Sequence, residues 1–223
     1  MRENIIPPHP SSALFCGRSG MGKSQLVLNM LNDKRMYKGY FDIIFLFSAT
    51  AEAGDDLYQK HSGIPERNVF KPDAEGIAQL EHVFKTQQAT IKKKGIAKSP
   101  RILLIFDDVA HAKNFLDSPV YLKLHIMNRH FNISTWSLTQ SYVKIPRSCR
   151  CQVGAVFFFH GATDTEKKRM SQEHTPANLT EKQFITMIEY TTKKKYDFMF
   201  INKSADMSER YRHCLHTILK LPE

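Results

Sequence analysis

Eight consecutive residues, Gly17-Arg18-Ser19-Gly20-Met21-Gly22-Lys23-Ser24, follow the apolar run Ala13–Cys16 and lead into the helical stretch Gln25–Leu31. Glycines so placed leave the backbone bare, so main-chain N–H groups and the positive end of the following helix can approach a polyanion closely. The spacing G-x-x-x-x-G-K-[ST] is that of a phosphate-binding loop. In such a loop Lys23 meets the β- and γ-phosphates as a point charge, and the Ser24 hydroxyl ligates Mg²⁺. The nucleotide contacts expected are therefore Gly17, Arg18, Ser19, Gly20, Met21, Gly22, Lys23, Ser24 and Gln25, with ATP and Mg²⁺ as the bound species.

A second element has the complementary chemistry. Arg101-Ile102-Leu103-Leu104-Ile105-Phe106-Asp107-Asp108 is an apolar run ending in two acids. Adjacent carboxylates at a strand tip are costly unless a cation lies among them. Asp107 is expected to hold the Mg²⁺ shell, and Asp108 to polarise the attacking water as a base. A third run, Ile133–Leu138, ends in Thr139-Gln140, placing an amide at the end of a strand where parallel α/β sheets present their ligand groups. Gln140 is expected to sense the γ-phosphate.

These groups need a sheet to hold them. Apolar, β-branched or aromatic runs recur at Ala13–Cys16, Phe41–Phe47, Ile102–Phe106, Ile133–Leu138, Ala155–Phe159 and Tyr196–Ile201, with Val69–Phe70 a short extra. Amphipathic stretches at Asp73–Ile91, Pro119–Met127 and Glu181–Ile188 fall between them, the alternation of an α/β domain with a mainly parallel sheet. The Pro-rich start predicts an extended arm over residues 1–11, followed by a single domain over 12–223. Lys92-Lys93-Lys94-Gly95 and Lys193-Lys194-Lys195 read as solvated basic turns.

Composition narrows the class of protein. With 42% hydrophobic and 24% charged residues, the chain is globular in composition, which argues against a disordered or fibrous chain. The balance of 32 Lys and Arg against 22 Asp and Glu gives a net charge of +10, which points to an anionic partner. No stretch has the length of apolar sequence that a membrane-spanning helix needs, and residues 1–10 lack the apolar core of a signal peptide, so a soluble, non-secreted chain is expected. Four cysteines, only Cys149 and Cys151 close together, make neither a disulfide framework nor zinc-ligand spacing, and no metal is assigned to them.

The phosphate loop, Tyr37-Lys38-Gly39-Tyr40-Phe41-Asp42 leading to Phe47-Ser48-Ala49-Thr50, Leu103–Asp108, and Asn128-Arg129-His130 leading to Leu138-Thr139-Gln140-Ser141-Tyr142 together resemble the FtsK/HerA-like P-loop ATPases. Within that group the likeness is to the genome-packaging ATPases of poxviruses, other large DNA viruses and virophages. The resemblance implies a RecA-like (ASCE) core with helices on both faces and assembly as a ring, hexamer or pentamer. It further implies translocation of double-stranded DNA, a capsid or virion membrane protein as docking partner, and a place in the host cytoplasm or the virion. It also makes Arg129 the candidate arginine finger for a neighbour's ATP, with Arg147 and Arg150 as rivals. Lys144, Arg147 and Arg150 are candidates for DNA or subunit contacts. Many relatives carry Glu where this chain has Asp108, so a side chain one methylene shorter must do the base's work. A cellular or plasmid DNA-pumping or helicase-type ATPase, a small-molecule P-loop kinase and a slow nucleotide-dependent scaffold are the alternatives. Ser118 through Thr163 contains no Asp or Glu but holds Lys123, Arg129, Lys144, Arg147 and Arg150, which locates the basic excess around the expected finger and sensor.

Overall fold

A computed structural model describes residues 6–50, 58 and 63–221. Among the described residues nine strands form one sheet: β1 (Ser12–Cys16), β2 (Ile43–Ser48), β3 (Val69–Phe70), β4 (Ile102–Asp107), β5 (Ile133–Thr139), β6 (Ala155–Phe159), β7 (Phe198–Asn202), β8 (Tyr211–His213) and β9 (Thr217–Ile218), in the order β3-β2-β4-β5-β1-β6-β7-β8-β9. From β3 to β6 every neighbouring pair is parallel. β5 therefore lies between the strand that feeds the phosphate loop and the strand that ends in the paired acids, which is the ASCE arrangement. Beyond β6 the pairing turns antiparallel, an edge that the alternation of strands and helices did not reveal.

Helices cover both faces unevenly. α1 (Lys23–Asn32) packs Val27, Leu28, Met30 and Leu31 with Phe15, Trp136, Phe157 and Phe200 on one side. On the other lie α2 (Ala74–Lys94), α3 (Lys113–Leu116), α4 (Pro119–Met127), α5 (Arg147–Gln152), α6 (Asp164–His174) and α7 (Glu181–Thr191), which contribute to a core around Leu104, Phe106, Val156 and Phe158. β1, β5, β6 and β7 are buried along their whole length. Such strands are usually apolar throughout, yet β5 mixes four hydroxyl residues with three apolar ones. Each buried hydroxyl finds a partner: Ser134 Oγ lies 2.7 Å from His9 Nδ1, Thr135 Oγ1 donates to Ser12 Oγ at 2.7 Å, Ser137 Oγ lies 3.2 Å from His125 Nε2, and Thr139 Oγ1 donates to the Ser141 carbonyl at 2.9 Å.

The antiparallel turn at β7 has a simple cause. β6 is followed by two eleven-residue helices that run in opposed directions. α6 starts at a Thr163–Glu166 capping box and α7 at a Thr180–Gln183 box, and their opposed directions bring Lys167, early in α6, within 3.0 Å of Glu189, late in α7. Two helices return the chain to the end of the sheet it left, so the His160 N–H donates to the Asp197 carbonyl at 3.0 Å, and β7 begins beside the C-terminal tip of β6. The Thr163-x-x-Glu166 pattern was the available signal for α6.

The expected arm is, from Ile6 on, part of the folded unit; its first five residues lie outside the described ones. Ile6 is buried, Tyr37 Oη donates to the Pro7 carbonyl at 2.6 Å, and the His9 ring nitrogens lie 2.7 Å from Ser134 Oγ and 2.8 Å from Asn132 Oδ1. Tyr37, Tyr40, Phe41 and His9 gather around Trp136. Asp42 is held at a pKa of about 2 by hydrogen bonds from Arg101. The 37–42 segment thus organises the N-terminal end of the sheet, opposite the phosphate loop.

Candidate active site

The phosphate loop turns where its glycines allow. Gly20 and Gly22 have φ of 73° and 90°, and Gly22 caps α1, a conformation that costs a side-chain-bearing residue energy and glycine none. Gly17 is required for a different reason: a Cβ there would stand 2.5 Å from Phe159 Cβ. The Gly17 N–H donates to the Thr139 carbonyl at 3.1 Å, tying the start of the loop to the end of β5.

Around this loop the three strand tips converge. Lys23 Nζ donates to the carbonyls of Gly17 and Arg18 at 2.7 and 3.1 Å. Burial depresses its pKa, with the Asp107, Cys16 and Asp108 charges acting the other way. Ser24 Oγ donates to Asp107 Oδ2 at 3.1 Å, so the two expected Mg²⁺ ligands already touch. Burial raises the pKa of Asp107, opposed by the nearby Tyr58 and Ser24 hydroxyls and by Lys23. A carboxylate left in this condition is stabilised by a cation.

Asp108 sits in the left-handed region, with φ 53° and ψ 35°. Aspartate tolerates that conformation better than most residues, and strain of this kind collects at functional sites. Its N–H donates to the Leu138 carbonyl, and Gln140 Nε2 donates to its Oδ2 at 2.9 Å. Oδ1 is buried and has no hydrogen-bond partner among the described residues. The Ser24 hydroxyl and the Asp107 carboxylate form an oxygen-only donor set, the chemistry that suits Mg²⁺, while the orphaned Asp108 oxygen is left to accept a proton.

The cavity they enclose has a volume of about 760 Å³ and is lined by residues from Ser19 to Gln25, by Asp107, Asp108 and Gln140, and also by Asn29, Thr50, Phe159, Tyr196 and Phe198. None of the latter group was expected as a site residue, although Thr50 ends a segment that carries the family resemblance. Thr50 follows β2 and was visible as a strand end; Tyr196 was expected to open a strand and instead occupies the turn before β7. Arg18 is exposed beside Gly161.

The arginines part company. Arg129 is exposed in a 3₁₀ turn (Asn128–Phe131) ahead of β5. It lies at the opposite end of that strand from Gln140, and a seven-residue strand spans roughly 20 Å, so it does not reach its own cavity. Lys144 is exposed, with Nζ 3.3 Å from His111 Nδ1, and Arg147 is exposed at the start of α5. Arg150, expected as a finger, DNA or interface candidate, is instead buried. It pairs with Glu173 at 2.6 Å, donates to the Ile145 carbonyl at 2.5 Å, and lies 5.0 Å from the Tyr142 ring centroid. Its guanidinium satisfies an internal network and offers nothing to a ligand. Lys123 lies over the Phe84 ring. The acid-free segment is therefore not one basic face, because acids from α6 come to meet it: Glu166 accepts from the Tyr142 N–H and Glu173 from Arg150.

Asp197, next to Tyr196 in the chain, and the adjacent pair His213 and Cys214 bring ligand-type atoms within 4.8 Å of one another. Among the described residues no helix is long and apolar enough to cross a membrane.

Comparison with known proteins agrees with this geometry. The genome packaging NTPase B204 of Sulfolobus turreted icosahedral virus 2 in complex with AMPPCP superposes with a TM-score of 0.63 at 16% identity, over 96% of this chain and 99% of that one. Its AMP complex gives 0.61 at 17% identity over 92% and 96%. EssC (ATPases 2 and 3) from Geobacillus thermodenitrificans gives 0.51 at 14% identity over 66% of this chain and 31% of that one. At such identities the likeness establishes a shared P-loop NTPase fold. A search among curated proteins returns no match. A family model described as Poxvirus A32 protein matches residues 3–220, and the chain belongs to that family.

Proposed function

We propose that this chain hydrolyses ATP and couples the hydrolysis to moving double-stranded DNA, as one subunit of a ring that packages a viral genome. The observation that carries the reading is the convergence of Lys23, Ser24, Asp107, Asp108 and Gln140 from three parallel strand tips onto one cavity. The B204 packaging NTPase, which shares the fold over nearly its whole length, supports the choice of task.

Loop N–H groups and the N-terminus of α1 bind the phosphates, and Lys23 exchanges the Gly17 and Arg18 carbonyls for phosphate oxygens. Ser24 and Asp107 would hold Mg²⁺, which when bound neutralises phosphate charge and polarises the γ-phosphoryl group. Asp108, fixed through Oδ2 by the Gln140 amide, accepts a proton from the attacking water through Oδ1. The same Gln140–Asp108 hydrogen bond gives the γ-phosphate a way to alter the base, since an amide drawn to phosphate releases the carboxylate. Arg129, at the far end of β5 from its own cavity, would serve the site of a neighbouring subunit. Exposed Lys144 and Arg147 are the cations of this segment left for the DNA backbone.

The test is ATP turnover measured with and without double-stranded DNA, together with the oligomeric mass of the same sample. DNA should stimulate hydrolysis, and the stimulation should weaken steeply as salt rises through counterion release. Turnover indifferent to DNA, with a small acceptor becoming phosphorylated, would convert the reading to a kinase.

A further inference from the structure

We infer that Tyr196 is the platform on which the nucleotide's base stacks; the inference rests on the cavity being an ATP site, as proposed above. The sequence presents the residue as the first of the strand run Tyr196–Ile201, after the basic Lys193-Lys194-Lys195 turn, and the fold places it in that turn instead. Because α6 and α7 return the chain to the site end of the sheet, this turn opens β7 at the mouth of the phosphate cavity, whose wall Tyr196 forms with Phe159 and Phe198.

Three observations set Tyr196 apart from an ordinary surface tyrosine. It is 57% exposed although its neighbours in the wall, Phe159 and Phe198, are buried and packed together at 4.9 Å. Its backbone has φ 73°, a left-handed conformation rare for a bulky residue and usually retained where it serves a site. The turn is pinned on several sides: Asp197 N–H donates to the Lys194 carbonyl at 3.1 Å, its carbonyl accepts from His160, and its carboxylate stands 3.1 Å from His213 Nε2. An exposed ring is therefore held rigidly beside the loop, with Cδ1 3.4 Å from where a Gly22 Cβ would be. Lys195 Nζ lies 4.9 Å from the ring centroid, an exposed cation that a base can displace and that stays near enough to meet phosphate. Gln25 and Asn29, hydrogen-bonded to each other at 3.0 Å, also line the cavity, and keep the Gln25 oxygen and the Asn29 amide N–H groups for a base edge while the ring meets its face.

The experiment compares ATP with inorganic tripolyphosphate, which has the phosphates and no base, by calorimetric titration in the presence of Mg²⁺. Base–aromatic stacking is worth enough for Tyr196→Ala to weaken ATP about ten-fold, within a range of roughly five- to 150-fold, and to leave tripolyphosphate within about two-fold. Tyr196→Gly should show the same selective loss while folding at least as well as the parent, because glycine accepts the left-handed backbone freely. Tyr196→Trp should retain ATP affinity, with indole fluorescence quenched by ATP and not by tripolyphosphate. Equal losses for both ligands would make the ring a prop for the phosphate loop and overturn the inference, as would unchanged ATP affinity in the Ala and Gly variants. A parent protein that binds neither ligand would instead overturn the ATP-site reading beneath it.

Discussion

Ser24 and Asp107 stand 83 positions apart in the chain, yet their side chains meet at 3.1 Å. Arg147 and Arg150 stand three positions apart, yet one faces solvent and the other is enclosed with Glu173. The first pair belongs to the strand tips, where the parallel pairing of β1, β5 and β4 forces the ends of distant segments into one row. The second belongs to the acid-free stretch, where local sequence is uniform in charge and the fold is not. Charge that clusters along a chain is a weak guide to charge that clusters in space, because an acid brought from a distant element, here Glu173, can hold one cation of the cluster in the interior and leave its neighbour in solvent. Residues at the ends of neighbouring parallel strands are not parted in this way.

The largest effect expected of this contrast lies at the strand tips and across a subunit boundary. Lys23→Ala should lower turnover by on the order of 10²–10³, the loss seen when one preorganised electrostatic group is removed. Arg129→Ala should cost on the order of 10³–10⁵ if it acts as a finger. Mixing the two variants should restore part of the activity, because an intact Arg129 from one subunit can then serve an intact Lys23 in another. No recovery at any mixing ratio would remove Arg129 from the site and leave the strand tips to act alone.

Stability provides the next test. Arg150→Ala leaves the Glu173 carboxylate, whose side chain is 10% exposed, without its partner, and breaking such a buried pair costs about 3–5 kcal/mol. Denaturant unfolding of this variant should show that loss, whereas Arg147→Ala should remain within about 0.5 kcal/mol of the parent. Equal stabilities would mean that the two arginines do not differ as their surroundings indicate.

A smaller effect concerns pH. His125 is buried between α4 and β5, where desolvation holds its pKa down at about 4. The unfolded chain therefore binds the proton first, so stability is complete above the ordinary histidine value near 6.5 and falls as pH drops from there toward 4. The expected slope is about 1.4 kcal/mol per pH unit for this residue. His174, held by burial at about 3, adds a slope of the same sign. Unfolding free energies of the parent and of His125→Gln across this range should diverge in slope; parallel curves would show that His125 titrates normally.

The smallest effect belongs to the exposed cations. Removing one phosphate contact, by Arg147→Ala or Lys144→Ala, should reduce the slope of log affinity against log salt for DNA by about one. Arg150→Ala, assayed where it is still folded, should leave that slope unchanged.

Much of this protein was legible in its residues because each feature is local. The glycine spacing of Gly17–Ser24, the acids after Leu103–Phe106 and the amide after Ile133–Leu138 are short patterns whose chemistry does not depend on what lies beside them. The parallel half of the sheet was readable from its buried apolar runs for the same reason. Arg150 was misread because its partner, Glu173, comes from a helix two elements later. Tyr196 was read as strand because its aromatic character fits one, and only the return path of α6 and α7 sets it at the cavity.

The sequence by itself determined which groups are available for phosphate, cation and water: Lys23, Ser24, Asp107, Asp108 and Gln140 follow from residue type and spacing. The tertiary structure decided which groups share a volume. The strand order β4-β5-β1 brought Gln140 to Asp108, the paired helices turned β7 back toward the loop with Tyr196, and α6 placed Glu173 beside Arg150. The physical reason is that hydrogen-bonding and hydrophobic periodicity act over a few residues, while strand pairing and ion-pair burial act between segments whose separation along the chain is unrestricted.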